Sequence, residues 1–152
     1  MTPAAGAATE HPAPQRAHVR PWVLLAALAA GPFGWIVQLV VGYGVAGYAC
    51  YPGDGPRLTP PAGGWGAEHT GLVALNLICL AVALAGGALS WKNWRKVRGE
   101  KGGGARGLLE TGEGRTRFLA TCGILAGLGF ALAIAFNTAE PLVIASCWRI
   151  AP

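Results

Sequence analysis

Three long apolar stretches dominate the pattern of hydrophobic and polar positions along the chain. They run from Pro21 to Tyr48, from Thr70 to Trp91 and from Phe118 to Ala139, and none contains a residue that is charged at neutral pH. An α-helix rises about 1.5 Å per residue, so about 20 apolar residues cross the hydrocarbon layer of a bilayer. The pattern therefore predicts an all-α integral membrane bundle of three transmembrane helices, at about 21–48, 70–91 and 118–139.

The segments between and beyond these helices have different compositions. Residues 1–20 are rich in Ala and Pro, which predicts a disordered tail, and the length of the apolar run after it favours an uncleaved first helix over a signal peptide. A loop at 49–69, a basic loop at 92–117 and a C-terminal segment at 140–152 complete the membrane domain of residues 21–152. In that last segment, Pro141–Trp148 is too short to cross, so we expect it to lie at the interface or to extend the third helix beyond a bend at Pro141.

Basic residues are distributed very unevenly between the two loops. The loop at 49–69 contains Arg57 alone. The loop at 92–117 contains eight basic residues, namely Lys92, Arg95, Lys96, Arg98, Lys101, Arg106, Arg115 and Arg117. Because positive charge is retained on the cytoplasmic side, we expect the N-terminus and the basic loop inside, and the first loop and the C-terminus outside.

Composition agrees with a membrane protein and bears on the choice of partner. The 152 residues are 53% hydrophobic and only 12% charged, with a formal net charge of +5, whereas soluble domains are roughly a quarter charged. The basic stretch around Trp91 and Trp94 is compatible with nucleic-acid binding, but Trp beside Lys and Arg is typical of the membrane interface and of attraction to anionic headgroups. The lipid bilayer is therefore the predicted partner, and nucleic acid is not.

Each apolar stretch carries a face of small or amide-bearing residues spaced three or four apart. Such faces let helices approach closely, and an amide between them can form a hydrogen bond across the contact. The predicted packing residues are Gly34, Gln38 and Gly42 in the first stretch, Asn76, Cys79, Ala83 and Gly87 in the second, and Gly123, Gly127 and Ala131 in the third. They predict a closely packed bundle, with the partner helix either in this chain or in another protein.

The absence of certain residues excludes several functions. No Asp, Glu, Lys, Arg or His lies within the three stretches, whereas proton relays, ion-coupled carriers and voltage sensors need such residues at membrane depth. His11, His18 and His69 all lie outside them, so a haem held between helices by this chain's own histidines is excluded. Hydrolase, metalloprotease and nucleotide-binding motifs are also missing. The sequence therefore predicts no catalytic residue, no cofactor and no small-molecule substrate.

The side of the membrane opposite the basic loop gathers potential metal ligands. They are Cys50, Asp54, Glu68, His69, Glu140 and Cys147. Soft or borderline metals accept such ligands, but the spacing matches no known metal site, so no metal is predicted there.

The four cysteines fall into two groups. Cys79 and Cys122 lie at different depths within apolar stretches and are interpreted as small packing residues. Cys50 and Cys147 both lie on the predicted outer side, where disulfides form and persist, so we expect them to pair and close a loop of 98 residues (147 minus 50 plus one). Two unrelated interfacial cysteines, or a metal-binding or thiol-exchange pair, are the alternatives.

A family resemblance rests on the order of these segments. The stretch "GPFGWIVQLVVGYGVAGYAC", a plain second helix, "RFLATCGILAGLGFALAIAF" and a terminal "SCW" resemble small bacterial membrane proteins associated with haem–copper terminal oxidase gene clusters. The resemblance implies a non-catalytic accessory or assembly role in a respiratory complex of the bacterial plasma membrane, with other membrane subunits as partners. A membrane redox or metal-handling factor that uses the outer cysteines, and an independent homo-oligomer with its own pore, remain as alternatives.

Overall fold

Three α-helices form the part of the chain that the computed structural model describes, namely residues 19–51, 53, 55, 66–99 and 114–143, with the side chains of 66–69 and 140–143 outside that part. They are α1 (Pro21–Cys50), α2 (Gly66–Val97) and α3 (Arg115–Val143). No strand occurs within these ranges. All three helices are long and apolar enough to cross a membrane, which confirms the predicted all-α bundle of three spans.

Each helix continues beyond the apolar stretch that predicted it. Helix α2 begins at Gly66 and ends at Val97, so it takes up part of both predicted loops, and α3 begins at Arg115. Polar and charged residues can extend a helix past the hydrocarbon because backbone hydrogen bonds form within the segment itself. Helix α3 also passes Pro141 and ends at Val143, so the first part of the C-terminal segment is helical. Residues 1–18 and 144–152 lie outside the described part of the chain.

The beginning of α1 shows how its first turn is formed. Pro21 occupies the first helical turn, where its missing N–H is not needed and its fixed φ suits the helix. Arg20 precedes it in an extended conformation, without a side-chain cap. Val19 is buried together with Leu24 of α1, Val97 of α2 and Ala120 of α3. The last two residues of the predicted tail, 19 and 20, are therefore ordered at the helix entrance.

Close approaches at glycine give the direction of each helix. A Cβ placed on Gly34 of α1 would lie 3.1 Å from the Cys79 carbonyl oxygen of α2, and one on Gly86 of α2 would lie 2.8 Å from the Ala27 carbonyl oxygen. Higher numbers on α2 thus meet lower numbers on α1, so the two helices are antiparallel. A Cβ on Gly31 would lie 3.1 Å from the Ala126 carbonyl oxygen of α3, and one on Gly123 would contact Leu28, so α3 is parallel to α1.

This arrangement gives the bundle two chemically different ends. We call the end where α1 and α3 begin and α2 terminates the basic end, because it contains every basic side chain that the structure describes. These are Arg20, Lys92, Arg95, Lys96, Arg98, Arg115 and Arg117. We call the opposite end the tyrosine end, after Tyr43, Tyr48 and Tyr51, which are all exposed there.

The outward faces of the bundle are apolar. Large hydrophobic side chains are exposed along all three helices, including Phe33 on α1, Ile78 on α2 and Phe136 on α3. Soluble monomers rarely expose contiguous apolar patches larger than a few hundred Å². A surface of this kind suits contact with the hydrocarbon of a lipid bilayer.

The first prediction compares two glycines of α3, Gly127 and Gly129. A Cβ on Gly127 would lie 2.7 Å from the Gly87 backbone nitrogen and 3.2 Å from the Ala83 carbonyl oxygen, whereas a Cβ on Gly129 would meet nothing within 4 Å. Gly127→Ala should therefore lower the free energy of unfolding in detergent by about 1–3 kcal/mol, because backbone atoms cannot yield as a flexible side chain can. Gly129→Ala should raise it by about 0.5–1 kcal/mol through helix propensity. Equal effects of the two substitutions on the unfolding midpoint would contradict the packing described.

Candidate functional site

The predicted packing face of α1 divides into a buried part and an uncovered part. Gly34 and Gln38 are both buried, and Gly34 lies against the backbone of Cys79. Gly42, one turn further, has no described atom within 4 Å of the position that a Cβ would occupy. Among the described residues Gly42 therefore makes no close helix contact, although its sequence spacing is the same.

The packing residues predicted on α2 and α3 meet each other. Gly87 lies opposite Gly127, with 3.6 Å between a Cβ placed on Gly87 and the Gly127 Cα. Gly123 lies against the Ser90 side chain, and Asn76 is buried on the same face of α2. Cys79, also on this face, is buried with Ala83, Ala131 and Ile134, as expected of a packing residue. Cys122, the other free cysteine among the described residues, is half-buried.

The helix register brings polar side chains of all three helices to within about one helical turn of each other near the tyrosine end. Gly34 faces Cys79, so Gln38, one turn along α1, lies level with Asn76 of the antiparallel α2. Counting equal numbers of residues from the Gly87–Gly127 contact toward the tyrosine end reaches Asn76 on α2 and Thr138 on α3. We call Gln38, Asn76 and Thr138 the polar layer.

Hydrogen bonding in the polar layer is uneven. The Thr138 hydroxyl donates to the Ile134 carbonyl oxygen of its own helix at 2.7 Å, which satisfies the donor locally. Gln38 is 4% exposed, and its Oε1 has no hydrogen-bond partner among the described residues. A buried acceptor without a donor costs about 1–3 kcal/mol. The layer can therefore accept a hydrogen bond at Gln38.

A second set of buried polar residues lies toward the basic end, and the sequence reasoning missed it. Ser90, Asn93 and Thr116 are all buried, and Asn93 Nδ2 has no hydrogen-bond partner among the described residues. Ser90 and Asn93 continue the small-residue face of α2 at spacings of three residues beyond Gly87. Extending that face past the predicted helix end would have found Asn93. The signal was hidden because the basic residues around Asn93 suggested a loop.

Several glycines near the end of α1 at the tyrosine end lack a close neighbour. A Cβ on Gly42, Gly44 or Gly47 would meet no described atom within 4 Å. Tyr43 and Tyr48 in the same two turns are 72% and 80% exposed. We call residues 42–48 the uncovered segment of α1. A helix from another protein can approach its backbone as closely as α2 and α3 approach Gly31 and Gly34.

Most of the predicted metal ligands, and one cysteine of the predicted disulfide, lie outside the described part of the structure. Cys50, the last residue of α1, is disulfide-bonded. Cys147, its predicted partner, lies outside the described residues, so the pairing of these two cysteines stays a prediction. Within the described residues no group of three or more His, Cys, Asp or Glu side chains gathers to hold a metal ion. Of the potential ligands that the sequence offered, Cys50 alone has a described side chain.

The second prediction concerns the unpartnered Gln38 oxygen. Gln38→Met should raise the free energy of unfolding of the isolated chain in detergent by about 1 kcal/mol, because an apolar side chain of similar length replaces an unsatisfied acceptor. Gln38→Ala removes the same amide but leaves a cavity, so it should lower stability by about 1–3 kcal/mol. Thermal unfolding followed by circular dichroism distinguishes the two variants. A clear loss of stability in Gln38→Met would show that the amide is satisfied by a donor outside the described residues.

Comparison of the chain with protein-family models, with curated proteins and with solved structures finds no match. A function for the protein therefore depends on its own geometry. That geometry consists of a three-helix bundle with buried amides, an apolar outer surface and one glycine-rich helix segment that the rest of the bundle leaves uncovered.

Proposed function

We propose that the protein is a non-catalytic accessory or assembly subunit of a larger complex in the bacterial plasma membrane. The observation that carries this proposal is the contrast between two sets of glycines on α1. Gly31 and Gly34 are buried against α3 and α2, whereas a Cβ on Gly42, Gly44 or Gly47 would meet no described atom within 4 Å. The uncovered segment is the proposed contact with a partner subunit.

Glycine lowers the stability of a helix unless close packing compensates for it. Each Gly inside a helix is less favourable than Ala by about 0.8–1 kcal/mol. At Gly34 a Cβ would lie only 3.1 Å from the Cys79 carbonyl oxygen, so glycine allows the two helices to approach closely without a shift. The glycines of the uncovered segment have no such neighbour among the described residues, and a closely packed partner helix would supply the same reason for those on the face that it contacts.

The kind of partner follows from what the bundle lacks and from the resemblance. The described core contains Gln, Asn, Ser and Thr as its buried polar residues, with no ionisable group other than cysteine. Transport or electron transfer would then be carried by other subunits, and this chain would support their folding or assembly. The resemblance to small proteins associated with haem–copper terminal oxidases makes a respiratory complex the proposed setting.

The proposed orientation places the basic end at the cytoplasmic surface. All described basic side chains lie at that end, in agreement with the rule that cytoplasmic ends of spans are rich in Lys and Arg. The tyrosine end and Cys50 then face the periplasm, where a disulfide persists.

A second candidate function has one observation in its favour. The disulfide at Cys50 lies at the tyrosine end, next to the uncovered segment. If this bond exchanges with thiols of a partner, the chain acts as a membrane redox or metal-handling factor. In the accessory role the disulfide is structural. It would join Cys50 to Cys147 and so tie the C-terminal segment to the end of α1.

The third prediction tests the partner contact. In membranes of the native bacterium, tagged protein purified in mild detergent should carry other membrane subunits with it, detectable by haem absorbance and mass spectrometry. Gly42→Leu should lower their recovery roughly tenfold or more, because a bulky side chain at a close helix contact costs about 1–3 kcal/mol. Gly129→Leu is the matched control, since Gly129 on α3 also has open space around it.

Two results would contradict the accessory role. One is wild-type protein that purifies without any other subunit. The other is equal recovery from the Gly42→Leu and Gly129→Leu variants, which would mean that the uncovered segment faces lipid alone. Thermal unfolding of each purified variant shows whether the bundle itself has been disturbed, and we expect both to unfold close to the wild-type midpoint.

The fourth prediction separates the structural disulfide from the exchanging one. After alkylation of membranes under oxidising conditions, the protein should migrate as a compact monomer without reductant and shift on reduction. That shift should be absent in Cys50→Ser and in Cys147→Ser, and the two variants should still bring down partner subunits. Free Cys50 and Cys147 thiols would contradict the pairing, whereas mixed disulfides with other proteins would favour the redox alternative.

A further inference from the structure

The last two turns of α2 present two indole rings and two guanidinium groups on one face. Trp91 and Trp94 stack with their ring centroids 5.4 Å apart and their planes 24° from parallel. Arg95 and Arg98 follow them by four residues each, so each Arg lies one turn beyond a Trp on the same side of the helix. We call these four residues the Trp–Arg face.

The depth of the Trp–Arg face matches that of a lipid headgroup. Four residues of helix rise about 6 Å, so the Cα atom of each Arg lies about that far beyond the Cα atom of the Trp that precedes it by one turn. Trp91 is 52% exposed, and Trp94 is half-buried against Val97 and its neighbours at the basic end. Indole rings concentrate where hydrocarbon meets headgroups, which places Arg95 and Arg98 level with the phosphates.

The electrostatic setting favours an anion. Arg95 and Arg98 are exposed, Lys92 and Lys96 adjoin them, and no acidic side chain is described at this end of the bundle. The sequence between α2 and α3 adds nearly balanced charge beyond these helix ends. It contributes Glu100, Lys101, Arg106, Glu110 and Glu113. Among the described residues, the charge around the Trp–Arg face is therefore entirely positive.

We propose that the Trp–Arg face is a binding site for an anionic phospholipid. The phosphate accepts hydrogen bonds from Arg95 and Arg98, whose planar guanidinium groups can each bind two oxygens. The glycerol and upper acyl chains lie against Trp91 and Trp94. A lipid fits this surface better than a free phosphate, because the indole pair offers apolar contact area next to the charge and lies at the end of a membrane span.

This proposal differs from a general attraction of basic residues to the membrane. Retention of positive charge on one side of the bilayer, and compensation of the α2 dipole at its C-terminus, both depend on the number of charges near the helix end. Lys92 and Lys96 would serve either purpose as well as Arg95 and Arg98 do. Binding of a lipid at a specific site instead depends on which face of the helix carries the charge and on the geometry of the guanidinium groups.

Native mass spectrometry of the full-length protein can measure lipid binding directly. Protein in a neutral detergent is titrated with phosphatidylglycerol or, separately, with phosphatidylcholine of the same acyl chains. We expect wild-type protein to retain phosphatidylglycerol in preference to phosphatidylcholine. In the double variant Arg95→Gln and Arg98→Gln, the ratio of phosphatidylglycerol binding to phosphatidylcholine binding should fall roughly five- to tenfold. The matched variant Lys92→Gln and Lys96→Gln, which loses the same charge, should keep most of it.

A further variant tests the indole pair, and the outcomes that would overturn the site are distinct. Trp91→Leu should weaken phosphatidylglycerol binding while leaving every basic residue in place. Replacement of both arginines by lysine should weaken it although the charge is unchanged. The proposed site would be overturned if the Arg95→Gln/Arg98→Gln and Lys92→Gln/Lys96→Gln variants lost phosphatidylglycerol binding equally. It would also be overturned if wild-type protein showed no preference for phosphatidylglycerol. Inorganic phosphate added in excess should not displace the lipid, and displacement would identify a free anion as the ligand instead.

Discussion

The close crossing of α2 and α3 at Gly87 and Gly127 is the contact on which the rest of the bundle depends. Backbone atoms approach so closely there that even a methyl group on Gly127 would collide with Gly87. In lipid no hydrophobic effect drives helices together, so van der Waals contact between backbones supplies much of the association energy. Once this crossing is fixed, it sets the register that brings Asn76 level with Thr138 and Ser90 against Gly123.

The buried amides then bear on how the helices pair. An amide left in hydrocarbon is expensive, so Gln38 and Asn76 favour the register in which both are removed from lipid. The unpartnered oxygen of Gln38 and the unpartnered Nδ2 of Asn93 show that this arrangement is not fully satisfied within the described residues. Such polar groups make the pairing of the three helices specific, and a hydrogen bond to either unpartnered atom would stabilise the bundle further.

The two ends of the bundle suit different partners. At the basic end, aromatic and basic side chains combine at the depth of lipid headgroups, which suits contact with the membrane surface. At the tyrosine end, α1 offers glycines with open space and exposed aromatic rings, which suits contact with another helix. One end would hold the chain in a defined position in the bilayer, and the other would present it to a partner subunit.

The sequence alone determined the three spans, because the absence of charge over such lengths is a local property that any helix in a bilayer must satisfy. It also found the small-residue faces, since helical periodicity depends only on spacing. It placed the end of α2 too early, at Trp91, because charged residues that extend a helix beyond the hydrocarbon resemble a loop. It also could not distinguish Gly34 from Gly42, which have equivalent positions on one face. Only the tertiary structure decided that Gly34 meets Cys79 while Gly42 meets no described residue closely, because a contact depends on where the neighbouring helices cross and not on periodicity.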